Sequence, residues 1–338
     1  MNPIRIFGGG LAGLSLGIAL RQAGAAVTVT EAGHYPRHRV CGEFISGAGQ
    51  ATLESFGLGQ VLAGAVPNRE TTWFLGNRLL FSEPLPKPAL GLSRFQLDQR
   101  LAAKFRELDG ELTTGEFVRE SPSIPGTVWA GGRGGSSPDW IALKLHCRGL
   151  DPDYDLAMHL GSRGYVGVSR IEEEKVNVCG LFRTRRGLSP GKSGILSAYL
   201  RANGLDDLAG RLDAADTDPA SITATTSLNF KSTPWPAAVA CIGDANTAIP
   251  PFAGNGMSMA FESAHIALPK LLAYAHGETS WTGAREALHQ ALRRRFRLRL
   301  ATARLLHPFL LQPRGGRPLS WILSHRILPF HLLYRLLR

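Results

Sequence analysis

The chain has 338 residues, 44% hydrophobic and 19% charged, an ordinary globular composition long enough to bury a large core in one to two domains. Its net charge of +11 is local: residues 287–338 carry eleven arginines, no lysine and no acid, so the first 286 residues balance. A basic excess confined to one leucine-rich end, with no helix-turn-helix, zinc-finger or RNP pattern beside it, argues against nucleic acid as a partner.

The first thirty-one residues form a complete device for holding a dinucleotide. Pro3–Phe7 is a short apolar run that reads as a strand, Gly8-Gly9-Gly10-Leu11-Ala12-Gly13 supplies G-x-G-x-x-G, and Leu14–Ala23 continues as a helix that Gly24 stops. Ala26–Thr30 reads as a second strand ending on Glu31. In such a unit Gly8 permits the tight turn, Gly10 lets the backbone approach a pyrophosphate, and Gly13 lets helix and strand pack closely. The helix N-terminus offers free N–H groups to the phosphates, and Glu31 sits where a carboxylate accepts ribose hydroxyls. The N-terminal apolar stretch is broken by glycines and has no cleavage pattern, so no signal peptide is expected. Cys41, Cys147, Cys179 and Cys241 lack C-x-x-C spacing and fit free thiols in a reducing cytoplasm; no metal cluster stands out.

A loop follows from His34 to Glu43, then a helix to Phe56. Residues 70–93 look like strands broken by Pro84, Pro86 and Pro88, which suits a sheet edge or a crossover. Ser93 is positioned to cap an amphipathic helix that opens with Arg94 and runs past Asp98 and Leu101. Residues 126–137 are rich in glycine and serine. Gly164–Arg170 and Lys175–Phe182 read as a hairpin whose tip, Glu172-Glu173-Glu174, is expected to be a solvated turn without chemical role. Residues 190–215 read as helix with polar loops. Ala237–Ile242 returns to a buried strand ended by Gly243-Asp244, and Gly256–Leu272 is a long helix. That second constellation, through Pro250, Gly254, Asn255, Gly256 and Met257, puts a carboxylate at a strand end and bare N–H groups at a helix start. It suits a ligand with a hydroxylated arm and an end that becomes anionic.

Taken together, the two motifs resemble the FAD-dependent superfamily of aromatic hydroxylases (group A flavin monooxygenases) and geranylgeranyl reductases. The resemblance implies an α/β fold: a Rossmann-like FAD-binding domain with an inserted strand-rich substrate domain, in the manner of glutathione reductase and the aromatic hydroxylases, and a helical tail. The expected partition is 1–70, 94–138 and 225–290 for FAD, 71–93 and 139–224 for substrate, and 291–338 for the tail. It implies that Gly8, Gly10, Leu11, Ala12, Gly13, Glu31, Arg39, Arg94, Gly243, Asp244, Pro250, Gly254, Asn255, Gly256 and Met257 bind FAD. Asp244 would contact the ribityl or pyrophosphate side, and the helix opening at Gly256 would face the flavin ring. Pro36-Arg37-x-Arg39-x-Cys41-Gly42 resembles the P-R-x-K-x-C-G segment of the reductases, with Arg39 in place of lysine. It makes Cys41 the candidate catalytic residue, a weak proton donor or else a small packing group.

The sequence departs from the family twice. Ala130-Gly131-Gly132-Arg133-Gly134-Gly135-Ser136 lacks the aspartate of Ala-Asp-Gly-x-x-Ser, which puts the NADH or NADPH route in doubt more than FAD itself. Asn246 follows Gly243-Asp244-Ala245 where hydroxylases often have Ala-His. The Trp-x-Trp-x-Ile-Pro signature of flavin halogenases is absent, and Trp235-Pro236 does not supply it. In the tail, Leu298–Leu311 and Leu319–Leu337 are leucine-rich and arginine-studded, separated by Pro313–Pro318, and too charged to span a bilayer. Two readings stand: helices lying on the inner face of the membrane, or helices packed over the substrate domain, where they would roof an apolar pocket. The expected activity is reduction of carbon–carbon double bonds in a small hydrophobic, isoprenoid, lipid or polyketide-like substrate. The alternatives are hydroxylation of an aromatic or polyketide substrate, and a non-catalytic flavin-binding membrane-associated protein. A cytoplasmic location is expected. No heptad repeat sets an oligomeric state.

Overall fold

In the computed structural model the described residues are 1–120, 122–135, 139–150, 154–185, 187–188, 191–226, 228, 239–311 and 330–337. The chain runs β1 (Ile4–Phe7), α1 (Leu11–Gln22), β2 (Val27–Glu31), β3 (Phe44–Ile45), α2 (Gly47–Ser55), β4 (Val66–Leu75) and β5 (Arg78–Gly91). It continues through α3 (Arg94–Glu107), β6 (Glu111–Thr114), β7 (Thr127–Trp129), β8 (Trp140–Arg148), β9 (Leu156–Leu160), β10 (Gly164–Arg170) and β11 (Val176–Arg183). Then come α4 (Ile195–Arg201), α5 (Asp206–Ala214), β12 (Asp216–Thr225), β13 (Ala240–Cys241), α6 (Gly256–Ala275), α7 (Trp281–Leu311) and α8 (Phe330–Leu336).

Five short strands pair in parallel in the order β13-β7-β1-β2-β6. Parallel pairing requires crossovers, and helices α1 and α6 supply cover. Leu11 to Leu20 of α1 are buried all round, because the helix is enclosed by the sheet, α3 and α6. Gly17 marks the crossing: a Cβ there would lie 3.0 Å from the Phe105 ring of α3. The remaining strands form an eight-stranded sheet, β12-β8-β11-β10-β9-β4-β5-β3, antiparallel except for β4 with β9. In β5, Pro84, Pro86 and Pro88 recur every second residue, so their missing donors share one strand edge. Among the described residues only the two-residue β3 pairs beyond β5, at Leu90 and Gly91. The prolines therefore sit on an otherwise unpaired edge.

This sheet has two unlike faces. Leu143, Leu145, Val166, Val168, Val178 and Phe182 pack with α4 and α5 in a separate apolar cluster. The alternate residues, including Lys144, His146, Ser169 and Asn177, point the other way, to the 41–43 loop of the nucleotide-type half. The candidate site lies between this second face and the parallel sheet.

Two expectations are corrected here. The acidic hairpin tip is not simply solvated. Glu172 is buried, and its carboxylate accepts the Ser93 N–H at 2.8 Å and the Ser93 hydroxyl, tying the hairpin to the start of α3. Glu173 and Glu174 are exposed as expected, and Glu173 pairs with Lys175 at 2.8 Å. The tail does not begin a new helix near Leu298; α7 runs unbroken for 31 residues from Trp281, carrying Pro308 in its last turn. Its buried stripe, from Ala284 through Leu288, Leu292 and Phe296 to Leu310, packs on α6 and the sheet. Residues 313–318 and most of 319–337, like Trp235-Pro236 and Ser136, lie outside the described residues. Among the described residues no helix is long and apolar enough to cross a membrane, and no cluster of ligands could hold a metal ion.

Candidate functional site

The opening turn is built as its spacing requires. Gly8 has φ +109°, and a Cβ there would meet the Ala130 carbonyl oxygen at 2.3 Å, so the turn is pressed against the loop after β7. A Cβ at Gly13 would lie 2.0 Å from the Gly8 carbonyl oxygen, which is the close helix–strand contact expected of that position. At Gly10 nothing lies within 4 Å of such a Cβ. Gly10 is also the N-cap of α1, with no side-chain cap and no acid in the first turn. The helix therefore presents bare N–H groups and its positive end to open space, the arrangement a phosphate needs.

Glu31 ends β2 beside this turn. Its carboxylate accepts the Gly9 N–H at 2.7 Å and the Gly33 N–H at 3.1 Å, and pairs with Arg37. Tyr35 donates its hydroxyl to the Gly9 carbonyl. Arg39 reaches Asp98 through Nε at 3.0 Å and stands 3.5 Å from Glu31 with Nη2, a buried nitrogen that makes no hydrogen bond. Arg94 grips the same Asp98 with both arms, at 2.7 and 2.8 Å. Burial works against its charge, yet Asp98 holds the Arg94 guanidinium well above its ordinary range. Arg39 and Arg94 are thus brought together through a shared carboxylate. The Arg39 Nη2 makes no hydrogen bond, and the Glu31 carboxylate is the anion it faces.

The second motif meets the first. Gly243 (φ +60°) opens a 3-10 turn over Gly243–Ala245, and a Cβ on it would lie 2.9 Å from the Ala12 Cβ of α1. Its N–H donates to the Ser263 hydroxyl at 2.9 Å. Asp244 is about a third exposed and binds Arg133 Nε at 2.8 Å. Arg133 comes from the loop in which the family's aspartate is missing; burial opposes its charge, but Asp244 holds the guanidinium above its usual range. Pro250 precedes a second 3-10 turn, Gly254 adopts φ +61°, and Gly256 opens α6 with buried Met257 in its first turn. A Cβ at Gly254 would strike the Phe44 ring at 2.5 Å. Asn255 is turned elsewhere: its amide donates to the carbonyl of Leu337, so the chain's C-terminal end reaches the start of α6.

The Cys41 loop lies between the two layers. Asn177 and Ser169, from the sheet, donate to the carbonyls of Cys41 and Gly42 at 3.1 and 2.8 Å. The Glu43 N–H points at the Cys41 sulfur at 3.4 Å, and loss of hydration pushes the thiol up, so it stays protonated. Next to it stands a cluster that sequence reasoning missed. Glu43 is fully buried at φ +56°. Its carboxylate accepts the Arg94 N–H at 3.0 Å, lies 3.3 Å from Lys144 Nζ and bonds His146 Nε2. Lys144 also reaches His38 Nδ1 at 3.2 Å. Burial would raise Glu43, but His146 and Lys144 outweigh it and hold the carboxyl low. Burial and the Lys144 charge keep His38 neutral, with its pKa lowered to about 4. Lys144 and His146 alternate with apolar residues in Trp140–Arg148, and that period of two was the signal available. A cleft of about 610 Å³, lined in part by Arg37, His38, Phe95 and His146, opens beside this cluster.

The other end of the same sheet face is apolar. Trp73 and Phe81 stack at 5.6 Å, Phe330 of α8 lies 5.9 Å from Phe81, and Met158 packs nearby in the same core. The Tyr165 hydroxyl accepts the Phe252 N–H at 3.2 Å and lies 3.3 Å from His307 of α7. The tail helices α7 and α8 therefore pack over the apolar half of the site.

No protein-family model and no curated protein matches the sequence. Solved structures do match the chain in three dimensions. HpxO of Klebsiella pneumoniae, complexed with FAD and uric acid, is 14% identical with a TM-score of 0.80 over 99% of this chain and 96% of its own. The p-nitrophenol 4-monooxygenase PnpA of Pseudomonas putida is 16% identical, TM-score 0.76, over 100% and 97%. PqsL of Pseudomonas aeruginosa is 17% identical, TM-score 0.73, over 93% and 98%. The chain has the FAD-dependent monooxygenase fold. Its parallel sheet, strand-rich sheet and C-terminal helices are the parts of that fold, and both motifs lie on the parallel sheet's side of it.

Proposed function

We propose that the chain is an FAD-dependent monooxygenase that hydroxylates a hydrophobic, aromatic or polyketide-like substrate. One observation carries the reading: Gly243-Asp244, some 230 residues from the opening motif, lies against Ala12 in the first turn of α1. A single extended ligand can therefore touch both motifs, and FAD has the required length and chemistry. The residues fit it. The α1 N-terminus and the unused Arg39 nitrogen suit the pyrophosphate, Glu31 the ribose and Asp244 the ribityl side; Gly254, Gly256 and Met257 suit the ring end. Bound FAD supplies two-electron redox chemistry and, once reduced by NADH or NADPH, activation of dioxygen.

The chain's own residues do the rest. Arg39 and Arg94 place positive charge on the pyrophosphate side with Asp98 fixing their heads, and Asp244 fixes Arg133 on the ribityl side. The positive end of α6 favours negative charge where its first turn faces the ligand. Trp73, Phe81 and Met158, roofed by α7 and α8, keep water from an apolar substrate. Hydroxylation is preferred to the expected carbon–carbon double-bond reduction because the monooxygenases that share the fold support it and give the reductase reading no support. Cys41, a protonated thiol in the loop between the layers, keeps the reductase as the second reading.

The test is isotopic. Reduced holoenzyme given a panel of phenolic and polyketide substrates under ¹⁸O₂ should yield product carrying one labelled oxygen. Anaerobic reoxidation by an olefin, with no label incorporated under oxygen, would establish the reductase instead.

A further inference from the structure

Among the described residues, only one face of α7 packs against the rest of the fold. Its inward stripe is buried, and Glu262 of α6 holds it there by pairing with Arg299 at 2.7 Å and with Arg295. The opposite side exposes large apolar groups: Leu298 is 61% exposed, Leu305 68% and Phe309 46%. Their spacings of seven and four residues place them on one stripe of the helix. Arg293, Arg297 and Arg304, all exposed, run along its flank, and no acid occurs anywhere from residue 287 to the C-terminus.

The combination selects the partner. Nucleic acid would satisfy the arginines and leave the leucines and phenylalanine against phosphate and water. A neutral apolar groove would bury the stripe and strand the cations. An anionic bilayer satisfies both, because apolar side chains enter the headgroup–acyl boundary while arginines reach back to lipid phosphates. We propose that the outward face of α7 seats the protein on anionic lipid bilayers, with Leu298, Leu305 and Phe309 inserted and Arg293, Arg297 and Arg304 on the headgroups. The helix lies in the interface and keeps its packing on α6. His307, on the inward side of the same turns, stacks on Phe252 at 5.8 Å, so docking sets the apolar end of the site next to the lipid. The inference rests on these exposed side chains and is independent of the flavin reading.

Cosedimentation of the full chain with vesicles tests it. Phosphatidylcholine vesicles containing 30 mol% phosphatidylglycerol (about that fraction suffices for a negative surface potential) should bind the protein. Pure phosphatidylcholine should bind it at least tenfold less, and high salt should release it. Each arginine near such a surface is worth about fivefold in partition. The Arg293→Gln/Arg297→Gln/Arg304→Gln variant should therefore lose about a hundredfold. Leu298→Ser/Leu305→Ser/Phe309→Ser should lose binding at unchanged melting temperature, since those side chains are exposed. Wild-type protein that ignores vesicles, equal binding to both lipids, or serine and glutamine variants that bind like wild type would each overturn the proposal. So would preferential binding to duplex DNA that the serine variant retains.

Discussion

Lys144 and Glu43 are the residues whose chemistry is most sensitive to a single change. Each is buried, and among the described residues they are held by each other and by His146, His38 and the Arg94 N–H. Removing one partner of a buried pair leaves an uncompensated charge, at a cost of about 3–5 kcal/mol. Lys144→Met should thus destabilise the fold by roughly that amount in urea unfolding. The double variant Glu43→Gln/Lys144→Met should recover part of the loss, and strictly additive losses would show that the pair is not coupled. Three histidines give a pH signature. Burial lowers His38, His159 and His307 from 6.5 to about 4, with Lys144 adding to the effect at His38. Between those values the unfolded chain binds more protons than the folded one, so their contribution is full above about pH 6.5 and is lost as pH falls toward 4. Glu43, held low in the fold, adds a loss at the acid end of that window. Unfolding curves at pH 7.5, 6 and 5 should show the decline, and His307→Phe should flatten it. At the nucleotide side, Arg39→Gln removes the unused buried donor and should weaken FAD binding by about tenfold or more, the worth of one charge-assisted hydrogen bond. Unchanged affinity would remove Arg39 from the site.

At the scale of elements, the start of α1 decides whether the proposed FAD site forms. Gly13→Ala would drive a methyl to within 2.0 Å of backbone, so α1 must move off β1. Both stability and FAD retention should fall together, whereas Gly10→Ala, with open space around it, should leave the fold intact and affect FAD alone. These glycines were legible in the sequence because strand, turn and helix each carry a local signature. So were the Ser93 cap, borne out by its hydroxyl accepting the Gln96 N–H at 3.1 Å, and the β10–β11 hairpin. Contacts between distant segments were not legible. Glu172 looks like a turn residue in its local run, and only the docking of the hairpin on α3 gives its carboxylate two donors. Arg133 follows a gap in a familiar motif, and only the folded loop brings it to Asp244. The tail reads equally as packed or peripheral because an amphipathic helix with charge all round its polar arc serves both. Among the described residues α7 is packed on one face, and Leu298, Leu305 and Phe309 are exposed on the other.

At the scale of the whole molecule, the two sheets divide the work. The parallel sheet turns the N-termini of α1 and α6 toward one region, and the larger sheet lays a face over it that is charged near Lys144 and apolar near Trp73. That division was foreseeable from two motifs so far apart flanking a strand-rich stretch. The chemical polarity of the covering face was not, because it depends on which parity of each strand points inward. The C-terminal helices α7 and α8 pack over the apolar part of that face. The central claim is that one FAD spans both motifs. Titration of the purified chain with FAD, followed by quenching of flavin fluorescence, tests it most directly. Saturation at one FAD per chain, weakened alike by Glu31→Ala and Asp244→Ala, is the predicted result. A folded protein that takes up no FAD, or binds it equally well with both carboxylates removed, would contradict it.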